Sequence, residues 1–112
     1  MASFEQGDVI KVPFPYTDRS MRQFRPALVV SIPEVERRHG LLWVVMITSA
    51  QNRGWPDDLS IPRLAEAGLP VASVIRPAKI ATIDAAQATR LGRIPSELRA
   101  RVLRRVGGMI GT

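Results

Sequence analysis

Leu41-Leu42-Trp43-Val44-Val45-Met46-Ile47 is a run of seven apolar residues, and no other stretch constrains this chain's fold so tightly. A strand sends successive side chains to opposite faces, so it tolerates such a run only when both faces are covered. At 112 residues the chain is expected to form one domain with a single modest core. One face of the run then meets that core, and the other is expected to meet a second copy of the protein, which makes the run an argument for a homodimer. The alternative is a short helix packed on the rest of the fold.

The segments before the run also read as strands. In Asp8 to Phe14, Ile10, Val12 and Phe14 fall on one side of an extended chain and Lys11 on the other. Pro13 and Pro15 end regular pairing. Pro15 to Phe24 is polar and charged, an exposed and mobile loop on this reading. Arg25-Pro26 closes the loop, and Ala27 to Ser31 follows as a second strand, with Arg25 at its edge beside the loop. Glu34 to Gly40, which holds the only histidine, His39, reads as a turn.

After the run, Thr48-Ser49 ends the strand on polar ground, Ala50 to Pro56 forms a loop, and Asp57 to Ile61 is a brief strand. Arg63 to Gly68 reads as one helical turn capped by glycine. Val71 to Arg76 and Ala78 to Ile83 are two strands broken by Pro77. Asp84 to Arg90, rich in alanine, reads as helical. From Pro95 onward Leu98, Val102, Leu103 and Val106 make one apolar stripe away from Arg99, Arg101, Arg104 and Arg105, an amphipathic C-terminal helix. The tail from Gly107 to Thr112 is expected to fray. Short strands at regular spacing with a closing helix argue for a mainly β fold with short helices, a small β-barrel plus the C-terminal helix.

Composition narrows the function. With 46% hydrophobic and 23% charged residues the chain is globular, and without cysteine it has neither disulfides nor thiolate metal ligands. The first twenty residues lack an apolar leader, and no run approaches the roughly 18 apolar residues of a membrane span. A soluble, unexported, cytoplasmic protein is expected. The net charge of +6 comes from fourteen arginines and two lysines, Lys11 and Lys79. Guanidinium suits phosphate, so nucleic acid or an acidic protein is implied as partner; surface solubilisation by arginine is the competing explanation. No glycine-rich phosphate loop, metal-ligand cluster or serine elbow is present, and one histidine cannot form a histidine pair. What remains is Arg25, Thr48 and Arg76, each at the end of an apolar strand.

Seven pieces in order carry a family resemblance: Gly7 to Ile10, Pro13 to Asp18, Arg25 to Ser31, Ile47 to Ser49, Ala67 to Leu69, Ser73 to Pro77 and Lys79 to Ile83. Together they resemble the MazF/PemK toxins of bacterial toxin–antitoxin pairs over nearly the whole chain. The resemblance implies an SH3-like barrel and a metal-independent, sequence-specific endoribonuclease acting on single-stranded messenger RNA. It implies Arg25 and Thr48 as catalytic residues. Lys11, Phe14, Asp18, Arg19, Arg22, Ser49, Gln51, Arg76 and Lys79 are the RNA-binding set on this reading, with neither metal nor cofactor. The implied partners are a cognate antitoxin with an acidic disordered segment, forming a DNA-binding complex, and a second copy of the chain; no membrane is involved.

Attack of an RNA 2′-hydroxyl on the adjacent phosphorus needs charge stabilisation at the phosphate, a proton acceptor and a proton donor. Arginine stays protonated, so Arg25 is assigned to phosphate oxygens, with Thr48 donating to the same group. Some family members carry a histidine in the first loop and an aspartate two residues beyond the fifth-strand arginine. Here the loop has none and that position is Ala78. The base is therefore unassigned, with Asp18 as the candidate and His39 read as surface. Two other classes stay open: a CcdB-like toxin that binds gyrase without catalysis, and a barrel that only binds RNA. Arg25-Pro26 and Ile47-Thr48-Ser49 together favour the nuclease, and only six aromatic residues disfavour a pure single-strand binder.

Overall fold

A computed structural model describes residues 3–13 and 24–112. Phe14, Asp18, Arg19 and Arg22, and the expected loop up to Gln23, lie outside the described residues. Six strands form one antiparallel sheet in the order β4-β5-β3-β2-β1-β6. They are β1 (Asp8–Pro13), β2 (Phe24–Val29), β3 (Leu41–Ser49), β4 (Leu59–Ser60), β5 (Ser73–Asp84) and β6 (Thr89–Arg93). Three helices accompany them: α1 (Pro33–His39), α2 (Leu64–Ala67) and α3 (Ser96–Ile110). The mainly β expectation with a closing C-terminal helix holds. Among the described residues no helix is long and apolar enough to cross a membrane.

The apolar run is a strand, and its two faces are met inside one chain. On one face Val45 and Ile47 join Val9, Leu28 and Ile75 under Leu98, Val102 and Val106 of α3. On the other, Leu42, Val44 and Met46 join Ile10, Val12, Ala27 and Val29, with Phe4 packed among them. The chain thus builds two apolar clusters where one was expected, because the curled sheet is covered on both sides. The two-face argument for a second copy is corrected accordingly; of the run, only Trp43 is largely exposed, at 46%.

Several local readings change. Glu34 to Gly40 is not a turn but α1, with Pro33 in its first turn, acidic Glu34 and Glu36 near its start, basic Arg37, Arg38 and His39 at its end, and Gly40 closing it in the left-handed conformation. Glu36 Oε1 accepts the N–H groups of Ser3 and Phe4 at 2.9 and 3.0 Å, which seats Phe4 in its cluster. Pro77 does not end a strand: β5 is continuous, but its register with β3 jumps from Ile80 opposite Val45 to Arg76 opposite Met46, so residues 77–79 bulge. Asp84 to Arg90 forms only a 3₁₀ turn, Ala85–Gln87, before β6 begins. The tail does not fray at Gly107, since the N–H groups of Gly111 and Thr112 both donate to its carbonyl at 2.9 Å.

Strand β6 was missed because its signals lie outside its own sequence. Asp8, fully buried, accepts Arg90 Nη2 at 2.7 Å, Arg93 Nη2 at 3.2 Å and the Glu5 N–H at 2.9 Å, tying β1 to β6. Gly92 and Gly68 let β6 and α2 meet backbone to backbone: a Cβ on Gly92 would lie 2.2 Å from the Glu66 carbonyl oxygen. Gly68 also caps α2 at φ 73°, as its place after Ala67 suggested. Asp8→Ala is expected to lower the unfolding free energy by about 2–3 kcal/mol through loss of charge-assisted hydrogen bonds, read by urea titration.

Candidate functional site

The candidate site lies where the apolar cover of β3 runs out. Arg25 is the second residue of β2, opposite Val12 of β1, at the start of the strand as its sequence context suggests. Pro26 is tolerated beside it because the pairing of β2 with β3 begins only at Ala27. Ala27 faces Met46 and Leu28 faces Val45, so Arg25, two residues before Ala27, and Thr48, two residues after Met46, stand at the same end of the two strands. Arg25 alternates with Ala27 and Val29, and Thr48 with Met46 and Val44, so both share the face of the sheet that carries Phe4. Arg25 is half-buried and Thr48 buried.

Thr48 opens a chain of contacts. Its hydroxyl accepts Asn52 Nδ2 at 3.0 Å, and the Asn52 carbonyl accepts Arg76 Nη2 at 2.7 Å. Arg76, only 6% exposed, also holds Asp58 through Nε to Oδ1 at 3.1 Å and Nη2 to Oδ2 at 2.9 Å. Its guanidinium lies 4.3 Å from the centre of the Trp55 ring. Arg76, expected among the RNA-binding residues, is thus a buried strut, which ties the loop after β3 to β5. The backbone N–H groups of Gly54 and Trp55 also favour the charged form of Asp58. On the outer side Asp57, at φ 74°, is gripped by Arg105 Nη1 through its carbonyl at 3.2 Å and its carboxylate at 3.4 Å.

Other predicted contacts fall in different places. Lys11 belongs to the opposite face of β1, exposed, with its ammonium 6.0 Å from the Phe24 ring. It is not brought together with Arg25 and Thr48. Ser49 ends β3 with its hydroxyl accepting the Gln51 N–H at 3.3 Å, and Gln51 itself is exposed on the 3₁₀ turn Ala50–Asn52. Lys79 is half-buried in the β5 bulge, Ala78 beside it is exposed, and His39 is exposed at the end of α1. Sequence reasoning passed over Asn52, Trp55 and Asp58. The cluster Trp55-Pro56-Asp57-Asp58, with five residues between it and the polar strand end at Ser49, was the available signal.

The Asp58 carboxyl is held below its ordinary value of 3.8, chiefly by the hydrogen bond from Arg76, with the Arg76 charge and the two backbone donors adding to it and burial opposing it. Its folded value lies below its unfolded one, so the group adds stability above about pH 3.9 that is lost as the pH falls through the lowered value. Asp58→Asn is expected to remove that part of the acid dependence. Arg76→Ala leaves a carboxylate buried without its cation and is expected to cost about 3–5 kcal/mol. Urea unfolding at pH 7 and at pH 3 checks both.

The chain compares with known proteins as follows. Residues 5–110 match the family model described as PemK-like, MazF-like toxin of type II toxin–antitoxin system. No curated protein matches. Among solved structures, MazF from Deinococcus radiodurans superposes with a TM-score of 0.77 at 23% identity, over 96% of each chain. A MazE–MazF crystal structure from the same organism gives 0.75 at 24% identity, over 96% of this chain and 95% of that one. An endoribonuclease in complex with its cognate antitoxin, from a mycobacterial species, gives 0.73 at 16% identity, over 99% and 96%. These structures share the fold. The family model spans all of the sheet and the whole of α3, and by that match the chain belongs to the PemK-like, MazF-like toxin family of type II toxin–antitoxin systems.

Proposed function

We propose that the protein is a toxin that cuts single-stranded messenger RNA without a metal ion and so arrests translation and growth. The observation that supports this reading is that Arg25 of β2 and Thr48 of β3, each two residues beyond the paired Ala27 and Met46, stand at the same end of two neighbouring antiparallel strands. A guanidinium and a hydroxyl that reach the same phosphodiester can bind it and stabilise it as charge builds on its oxygens. The proposed reaction is attack of the 2′-hydroxyl on the adjacent phosphorus, with loss of the 5′-oxygen, leaving a 2′,3′-cyclic phosphate and a 5′-hydroxyl. With one histidine and no cysteine in the sequence, the base is sought among carboxylates, and Asp18 is the proposed candidate. Ser49, Gln51, Lys79, Phe14, Arg19 and Arg22 are proposed to line the RNA path; Arg76 supports it from beneath.

The reading extends to partners in the cytoplasm. A cognate antitoxin with an acidic disordered segment is proposed to cover the same cationic surface, its carboxylates standing in for phosphates. A homodimer is proposed on a new footing: Trp43, Ile80 and Ile110 line one open apolar depression, and each is about half exposed or more.

Pure protein with labelled single-stranded RNA in EDTA is expected to cut it, and Arg25→Ala to slow the cut by roughly 10²- to 10³-fold. Thr48→Ala should cost less; full activity in a folded Arg25→Ala variant would show that the site lies elsewhere. The antitoxin should compete with a non-cleavable RNA analogue, less strongly as salt is raised. Simultaneous binding of the two in a calorimetric titration would rule out shared occupancy. Light scattering at micromolar concentration should give a dimer, and Trp43→Glu a monomer; a wild-type monomer would remove the proposed interface.

A further inference from the structure

Trp55 combines two properties that a surface tryptophan seldom has together. It is 46% exposed, yet it is fixed from within. The Arg76 guanidinium sits 4.3 Å from its ring centre, and Arg76 is itself buried, so the inner face of the indole is covered and the exposed area belongs to the outer side. Arg76 cannot drift, since Asp58 grips it at two points and the Asn52 carbonyl at a third. The Trp55 carbonyl accepts the Asp58 N–H at 3.2 Å. Asn52 connects this assembly to the Thr48 hydroxyl at 3.0 Å.

An aromatic plane that is immobile before any ligand arrives loses little entropy on binding. Every nucleobase offers a π face, and stacking on such a plane does not require a particular sequence. A guanidinium on the far face is attracted to the ring's negative quadrupole there, while the chain's net charge of +6 draws the phosphates of the same strand. We propose that Trp55 is the stacking platform for one base of the single-stranded RNA whose phosphate is held at Arg25 and Thr48. This rests on the nuclease reading for the neighbouring phosphate, but its own prediction concerns base binding.

The test uses the full chain and two uncleavable probes of equal length: a mixed-sequence 2′-O-methyl RNA, and the same backbone with abasic positions. Trp55→Leu keeps apolar bulk over Arg76 without a π face, and Trp55→Phe keeps a smaller face. Trp55→Leu is expected to weaken binding of the base-bearing probe by roughly 5- to 150-fold, the range of one base–aromatic stack. Trp55→Phe should recover most of that loss, and the abasic probe should bind wild type and Trp55→Leu alike. Equal weakening of both probes would reduce Trp55 to a structural role and overturn the proposal. So would unchanged RNA affinity in Trp55→Leu, including the case where only an acidic antitoxin peptide loses affinity. Wild type that binds the base-bearing probe through Trp55 but leaves natural RNA uncut would sink the nuclease reading and keep the platform. Wild type that cuts RNA with no dependence on Trp55 would do the reverse.

Discussion

Cover on both faces of β3 is the condition on which the rest of this structure depends. Seven apolar residues in line cannot be half-solvated, and burying each of their larger side chains is worth about 1.5–3 kcal/mol. The chain meets the condition with two different devices. Helix α3 lays its apolar stripe on the face of Val45 and Ile47, while the curl of the sheet, closed by Phe4, shelters Val44 and Met46. Each device recruits its own polar fastening. Glu36 of α1 holds the backbone that carries Phe4, and Asp8 holds β6 to β1 through Arg90 and Arg93.

The candidate site begins where that cover stops. Thr48 is the first hydroxyl along β3, still buried, and the loop that follows would have no reason to be rigid if Arg76 did not reach under it. The Arg76–Asp58 pair, with side chains 7% and 8% exposed, is out of water. A buried pair of this kind is weak evidence for added stability over an apolar replacement. Its visible effect here is specification: one carboxylate holds a guanidinium at two points, and that guanidinium reaches the Asn52 carbonyl, next to the Asn52 side chain on Thr48.

Much of this was legible in the sequence where the signal is local. The strand nature of Leu41–Ile47, the glycine cap of α2 and the stripe of α3 follow from period and end chemistry alone. The choice of Arg25 and Thr48 as candidate site residues followed from the family resemblance. Other parts were not readable in the same way. Thr89–Arg93 is strand only because Asp8, more than eighty residues away, supplies buried acceptors for its arginines, and tertiary pairing overrode the alanine-rich pattern before it. Arg76 read as a free cation because its partner, Asp58, lies eighteen positions upstream with no spacing rule to announce it. The seven residues of α1 were hidden by charge, although proline, acids, bases and glycine stand in the order that helix ends prefer.

The central claim is that Arg25 and Thr48 stabilise attack by the RNA's own 2′-hydroxyl. The most direct measurement is cleavage, in EDTA, of an RNA oligonucleotide that the protein cuts at one place, compared with the same oligonucleotide carrying a single 2′-deoxy sugar immediately 5′ to the cut phosphate. The account predicts a 2′,3′-cyclic phosphate on the fragment from the first and no cut at that position in the second. Cleavage of the deoxy-substituted strand at an undiminished rate would contradict it.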